Sequence, residues 1–404
     1  MNTSDKNFLE QEIVNRSKDL IEENNISEEI ALKIIKNTID IAEDYSRPMT
    51  KLCSDIQNRY NNFFKHITQK IFIIVLKHLR SIANQRIENR NIGVNIIIFT
   101  KKNTINTFGE YEIKPTEIKN PSIISNISGF FKDDNNTLKS IYKCIDSSNI
   151  FFAFYYDKNE DILEYNGIHK LSNNQTMNSV CNKNTIGFNL SDGVSCIRIY
   201  NDGHRIIDYF RSETNGEWMP RFEKDIIESL KHLNVKLEDL ILLTKIVMQL
   251  SYLRLGAMLI VTDETDKLHD YGRKPCELIV EELESAENSK IIYTYAAYDG
   301  AVIIENLPDS NLNVKDFGVF ISPSKKIPSN SPYVYLLKYT NSGTRHEKAV
   351  NYAYENKNDT IIVVSENRSI SIIHGDEPLY WRDDNNPNEM VKRIKEKRGI
   401  KCKY

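Results

Sequence analysis

The chain has 404 residues, a formal net charge of -3 and 40% hydrophobic residues. That length allows two or three domains, and the composition is that of a globular protein able to bury a core. The near-neutral balance excludes a general attraction to nucleic acid or anionic membrane, so either partner would need a local basic patch.

The six cysteines are scattered without a C-x-x-C pair, so neither metal-ligand spacing nor a disulfide framework is supported. The N-terminus has no apolar signal core. The greasiest run, Ile71 to Leu76, is far short of the ~20 residues that a membrane helix needs. A cytoplasmic location and no membrane partner are therefore expected.

Residues 1–90 read as a helical region. Helices are expected over Asp5 to Glu23, from Ser27 through an apolar stripe ending at Ile39, and from Thr50 to about Ile87. Such stripes are expected to be core, and the basic residues between Lys70 and Arg86 a solvated face.

Residues 91–221 change period. Val94 to Phe99, Ile150 to Tyr156, Cys196 to Tyr200 and Ile206 to Phe210 are β-branched and aromatic runs separated by Asn/Asp clusters, which describes an α/β or α+β domain. Asn201-Asp202-Gly203-His204 reads as a hairpin turn. His169 and His204 are expected to be structural, and Tyr209, Phe210, Trp218 and Phe222 to be core. Asp192-Gly193-Val194 echoes a later Asp299-Gly300-Ala301, and Ile150 to Tyr165 echoes Leu259 to Tyr271. A coincidence of turn and strand is preferred here to a decayed duplicate of one fold.

From residue 222 the signals are helices over Phe222 to Leu233 and Lys236 to Arg254. Strands are expected at 256–262, 301–305, 316–321, 333–338, 359–364 and 369–373, with helices at 276–287 and 344–355. The domains are set at 1–90, 91–221, 222–376 and a polar basic tail at 377–404. The short helical linker near 222 predicts stiff coupling between halves.

Four stretches in this last part carry chemistry. Asn341-Ser342-Gly343-Thr344-Arg345-His346 leads small residues into a helix start followed by a cation and an imidazole. Helix N-termini offer free N–H groups and a positive dipole end, which suits phosphate. A capping box of Thr344 with Glu347 explains the same residues structurally. Tyr298-Asp299-Gly300-Ala301 places an acidic turn before a buried strand. Val364-Ser365-Glu366-Asn367-Arg368 is a polar turn between two strand-like runs. Gly256-Ala257-Met258 opens another strand.

Taken in order, Asp299-Gly300-Ala301, Gly343-Thr344-Arg345-His346 and Val364-Ser365-Glu366 resemble the diadenylate cyclase domain, also called the DisA nucleotide-binding domain, over about Leu255 to Ile373. The glycine of Phe317-Gly318-Val319 fits the same pattern. The resemblance implies an α/β fold: a C-terminal mixed-sheet domain with flanking helices, preceded by a helical plus α/β regulatory region. It implies that two ATP are condensed to cyclic di-AMP and two pyrophosphates by 3′-OH attack on the α-phosphate. Asp299 would be catalytic and hold Mg²⁺ or Mn²⁺. Gly300, Ala301, Gly318, Gly343, Thr344, Arg345, His346, Ser365, Glu366 and Arg368 would bind substrate. Two facing sites require a homodimer or higher homo-oligomer. Nucleic acid is not an expected partner, and a small molecule or protein is expected to act on the N-terminal region. The family usually has a basic residue where Glu347 stands. That departure leaves open a weak or inactive nucleotide-binding module, and a cyclase with another cyclic or linear product is a further alternative.

Overall fold

In the computed structural model the chain forms two compact units, Met1–Leu76 and Lys77–Tyr404. The structure describes most of residues 49–101, 150–211, 217–264, 300–323 and 327–397, with 281–282 and 293–296 and short breaks between. The helices expected before residue 48 lie outside the described residues.

The single long helix expected from Thr50 is two. Helix α1 covers residues 49–59 and α2 covers Gln69–Ile82, with a short 3-10 turn at Phe63–Lys65 between them. Asn61 and Asn62 favour a turn, and the Thr68 hydroxyl accepts from the Ile71 N–H at 3.4 Å, restarting the helix. In the first unit Phe63, Phe64 and Phe72 meet edge to face at 5.1–5.7 Å.

The second unit is α/β with two seven-stranded mixed sheets. A two-stranded hairpin, β1 (Arg86–Ile87) and β2 (Arg90–Asn91), precedes them. The first sheet holds β3 (Val94–Phe99), β4 (Ile150–Asp157), β5 (Ile162–Lys170), β6 (Thr185–Leu190), β7 (Cys196–Asn201), β8 (His204–Arg211) and β9 (Trp218–Phe222), in the order β5-β4-β3-β6-β7-β8-β9. The one-turn helix α3 (Met177–Val180) lies between β5 and β6. The Asn201-to-His204 turn is a two-residue loop whose Asp202 and Gly203 both have positive φ, as a type I′ hairpin requires.

β9 ends at Phe222, and α4 (Glu223–Leu230) starts at the next residue, followed by α5 (Leu237–Tyr252). The second sheet holds β10 (Ala257–Thr262), β11 (Glu281–Glu282), β12 (Ala301–Glu305), β13 (Asn313–Val319), β14 (Thr360–Val364), β15 (Ile370–His374) and β16 (Glu377–Trp381), in the order β11-β13-β12-β10-β14-β15-β16. Its helices are α6 (Pro332–Tyr339), α7 (Thr344–Glu355) and α8 (Pro387–Lys397).

This sheet is covered on both faces, which is why β10 reads as an unbroken apolar run. Ala257, Leu259 and Val261 pack with Leu243, Val247 and Leu250 of α5. Met258 and Ile260 face Ala349, Val350 and Ala353 of α7.

Three expectations change. Residues 333–338 are not a strand but the body of α6. Ser331 and Pro332 are a helix start, the Ser331 hydroxyl accepts from the Tyr333 N–H at 3.3 Å, and Tyr333 and Leu336 are buried one turn apart. Most of the helix expected at 276–287 lies outside the described residues, and Glu281 and Glu282 pair with β13 as a strand. The segment from 377 is more than a polar tail. β16 pairs with β15, Trp381 is fully buried, and Val391 of α8 joins the same core.

The two sheets repeat one arrangement. β3 and β10 are central, each parallel to β4 or β12 on one side and antiparallel to β6 or β14 on the other. β5 and β13 add antiparallel beyond, and β6-β7-β8 and β14-β15-β16 are matching meanders. The registers agree. Val94 opposes Leu190 as Ala257 opposes Val364, and Asn189 opposes Arg198 as Val363 opposes Ser371. Both meanders break register at the same place, between Ile199 and Tyr200 and between Ile372 and Ile373.

The preference for coincidence is therefore corrected: the fold occurs twice. One of the two stretches that prompted it was matched wrongly. Asp192-Gly193 lies outside the described residues, and Ile150 opens β4, which answers to β12, not to β10. In both sheets the same face carries the inserted helices. Met177 and Val180 of α3 pack on Ile97, Phe151, Ala153 and Tyr200, the register counterparts of Ile260, Ala301, Ile303 and Ile373 beneath α7.

Candidate functional site

Four chain segments converge on a cleft of about 400 Å³ at the start of β10. The first is the start of α7. Its N-cap is Gly343 in extended conformation, with no side chain capping the turn, and the Gly343 carbonyl accepts from the N–H of His346 at 3.1 Å and of Glu347 at 3.3 Å. Thr344 is the first helical residue, so the capping box of Thr344 with Glu347 does not form. The first N–H groups of α7 are left for an outside acceptor, at the positive end of the helix dipole. Thr344, Arg345 and Lys348 line the cleft there, and Glu347 is exposed and lies outside its lining.

Arg345 lies across the backbone of Gly256, where a methyl group would overlap its guanidinium and press on Glu366. A glycine before β10 thus lets the cation settle over the strand start. His346 is only 4% exposed, against Trp381 at 5.4 Å between ring centres and within 3.2 Å of the Ser371 hydroxyl through Nε2. Burial pushes its imidazole down to about 4, and Arg382 and Arg345 add to the shift. Near neutral pH it is an uncharged support on the cleft wall, not a third cation.

The second segment is the β14–β15 turn. The Ser365 N–H donates to the Ser369 carbonyl at 2.9 Å, and the Arg368 N–H to the Ser365 carbonyl at 2.8 Å. Asn367 Oδ1 accepts from the Ser369 N–H and hydroxyl. This tight turn presents Ser365, Glu366 and Asn367 to the cleft. Arg368, with positive φ, is 1% exposed and turned away from it.

The third segment is Gly300, with Val319, Phe320 and Ile321 beyond β13. Gly300 has φ +124, and a Cβ on it would strike the backbone of Gly318, itself at φ +65 in the bulge opposite β12. The close approach that needs these glycines is between two strands. Phe320 leaves the ladder with 46% of its surface exposed, an apolar platform on the cleft.

The fourth is Arg382, just past β16. Its N–H donates to the Ser371 hydroxyl at 3.0 Å, so Ser371 orients both Arg382 and His346.

The structure thus brings Gly300, Gly343, Thr344, Arg345, His346, Ser365 and Glu366 to one cleft. It does not bring Ala301, which is fully buried in the core beneath, nor Gly318, whose role is to admit Gly300, nor Arg368. Asp299 lies outside the described residues. Sequence reasoning gave no site role to Gly256, Phe320 or Asn367 and did not name Arg382. Arg382 follows Tyr380-Trp381, an apolar pair that could have marked a strand, but the segment was read as tail.

Residues 244–377, about a third of the chain, match the family described as DisA bacterial checkpoint controller nucleotide-binding. The second sheet from β10 to β15 falls within that match, so this part of the chain is a DisA-type nucleotide-binding domain. No curated protein matches the chain. Among solved structures, a hypothetical membrane spanning protein from Bacillus cereus is 18% identical over 34% of this chain and 59% of that one, with a TM-score of 0.25. A double mutant of DacA from Staphylococcus aureus is 19% identical over 43% of this chain and 95% of that one, with a TM-score of 0.25. Among the described residues, no helix is long and apolar enough to cross a membrane.

Within the DisA domain the described cleft suits phosphate. Arg345, Lys348 and Arg382 supply cations, and Glu366 is the one carboxylate among the described lining residues. No group of three His, Cys, Asp or Glu side chains that could cage a metal occurs among the described residues. A magnesium-type ion needs only one or two carboxylates when phosphate oxygens and water complete its shell, so Glu366 fits one such place.

Proposed function

We propose that the DisA domain binds ATP in this cleft, and that two such domains facing each other join two ATP into cyclic di-AMP. The observation that carries the reading is the convergence of Arg345, Lys348 and Arg382 with an uncapped helix start on the family's serine–glutamate turn. Each 3′-oxygen bonds to the α-phosphorus of the facing nucleotide. The bond from that phosphorus to the β-phosphate bridge breaks, the hydroxyl proton leaves, and pyrophosphate departs. This happens twice, and the ring closes.

The residues share this work. Thr344, Lys348 and the α7 N–H groups hold the outer phosphates, and Arg345 and Arg382 offset the charge that builds on the departing pyrophosphate. Neutral His346 keeps Trp381 and Ser371 in place beneath them. Phe320 offers a face for the base. Asp299, by family resemblance, and Glu366 would hold Mg²⁺ or Mn²⁺, which when bound lowers the cost of ionising the 3′-hydroxyl. One cleft takes one nucleotide in one orientation, so a homodimer is part of the reading. The region from residue 1 to 221 is regulatory in this proposal, and the catalytic domain runs from 222 and takes in β16 and α8.

The test is incubation of the full chain with ATP and Mg²⁺ or Mn²⁺, with product mass analysis, then with all four nucleoside triphosphates. Cyclic di-AMP that disappears in Asp299→Asn is the expected result. Binding of ATP without any cyclic dinucleotide under either metal would overturn the catalytic part.

A further inference from the structure

A second cavity, of about 270 Å³, lies between the first sheet and helix α5. It opens on the face of the first sheet that matches the α7-covered face of the DisA domain. Its wall carries Arg198 and Tyr200 of β7, Arg205 of β8, Lys245 and Gln249 of α5, and Tyr293. Among the described lining residues there are three cations and no carboxylate.

The arginines are held in place without being fully used. Arg205 is 7% exposed; its Nη1 donates to Gln249 Oε1 at 3.3 Å and its Nε pairs with Asp208 at 3.3 Å, while its buried Nη2 has no hydrogen-bond partner. Arg198 stacks on the Tyr252 ring at 3.1 Å, and its buried Nε and Nη2 have no hydrogen-bond partner either. Buried guanidinium N–H groups left unmatched are costly, whereas an oxyanion would satisfy two at once in the planar fork geometry. The adjoining carboxylates do not fill the role. Asp208 is shared between Arg205 and Arg221, and Glu223, which feels the charges of Lys245 and Arg205, is not on the wall.

We propose that this cavity is a second ligand site, taking a small dianion such as a phosphate monoester or a dicarboxylate. It is distinct from the nucleotide cleft, and its volume suits a compact metabolite at the small end of ligand pockets. Arg198 and Arg205 grip the charged group, Lys245 closes over it, and the hydroxyls of Tyr200 and Tyr293 add hydrogen bonds. The site is also wired to the other one: Arg205 pairs with Asp208, and Asp208 lies 3.9 Å from Arg221, which reaches the β14–β15 turn.

The experiment is calorimetry on the full chain with glycerol 3-phosphate and with succinate, glycerol serving as the uncharged control. At least one dianion binds, glycerol does not, and the binding survives Arg345→Ala. Arg198→Gln weakens it about tenfold or more, the loss expected when a charged hydrogen bond goes. If Arg198→Gln fails to fold, Lys245→Gln, on a half-buried side chain, is read instead and weakens binding severalfold. Binding of neither dianion, binding abolished by Arg345→Ala, or binding unchanged in both Arg198→Gln and Lys245→Gln overturns the proposal.

Discussion

The guanidinium of Arg221, the penultimate residue of the first sheet's last strand, donates to the backbone carbonyl of Arg368 in the nucleotide-motif turn. The same side chain donates at 2.7 Å to Asp383 and at 2.6 Å to the Ser251 hydroxyl, which itself donates to the Arg368 carbonyl at 2.5 Å. Arg221 and Asp383 are both almost fully buried. One side chain of the first sheet thus fixes the backbone that shapes the Ser365–Asn367 wall of the cleft.

Removing it should be severe. Arg221→Ala leaves the Asp383 carboxylate and the Arg368 carbonyl buried with a lost partner, and breaking a buried pair in this way costs about 3–5 kcal/mol. Urea unfolding should show the loss, and amide exchange should show faster opening at 365–369 than elsewhere in the second sheet. Arg221→Lys should recover only part, since an ammonium cannot fork to three acceptors.

Two glycines of the cleft should respond differently. Gly300→Ala forces a side chain to a strained φ and into the Gly318 backbone, and should cost roughly 2–4 kcal/mol in a thermal or denaturant melt. Gly343→Ala meets open space at ordinary φ. Its cost is the poorer N-cap, about 1 kcal/mol or less. Equal effects at the two positions would contradict the bulge packing.

ATP affinity separates the residues of α7. Arg345→Ala should weaken ATP binding about tenfold or more in a titration of the full chain, because a charged phosphate contact is lost. Glu347→Arg should change it less than about threefold, since that side chain is exposed and off the cleft wall. A large gain from Glu347→Arg would mean that the exposed carboxylate was opposing the nucleotide.

Stability against pH has two opposed contributions. His346 is lowered by burial from 6.5 to about 4, so the unfolded chain binds its proton first. Its contribution is complete above pH 6.5 and is lost as pH falls through 4, on the order of 2–3 kcal/mol. Glu223 is raised by burial from 4.5 to about 7, so its contribution is complete below pH 4.5 and is lost as pH rises through 7. Urea midpoints from pH 4 to 8 should therefore show Glu223→Gln gaining on wild type as pH rises, and His346→Asn losing less than wild type as pH falls. Parallel curves for wild type and both variants would contradict these burial shifts.

Legibility in the chain followed the range of the interaction. Helix α7 was readable to the residue because Gly343 and the periodic Ala349, Val350 and Ala353 are local signals. The β10, β12 and β14 runs were readable because a doubly covered sheet writes itself as unbroken apolar sequence. Tyr333 to Leu337 misled because a short apolar run has no period of its own; the Ser331-Pro332 start before it was the better signal. The repeated fold was hidden because strand order and register leave almost no trace in residue identity: Asn189 and Arg198 share nothing with Val363 and Ser371 beyond their pairing.

By itself the chain determined the chemistry available: a glycine-led helix start bearing Arg345 and His346, a Ser365–Glu366 turn, and strands apolar enough to bury both faces of a sheet. Only the tertiary structure decided which of those groups meet. It kept Glu347 off the cleft and set Lys348 on its wall, made His346 a neutral support, brought Arg382 to the cleft, and joined Arg221 to Arg368 across 147 positions of sequence. Such pairings depend on packing between elements that are far apart in the chain, and a residue's identity records what it can do but not whom it will face.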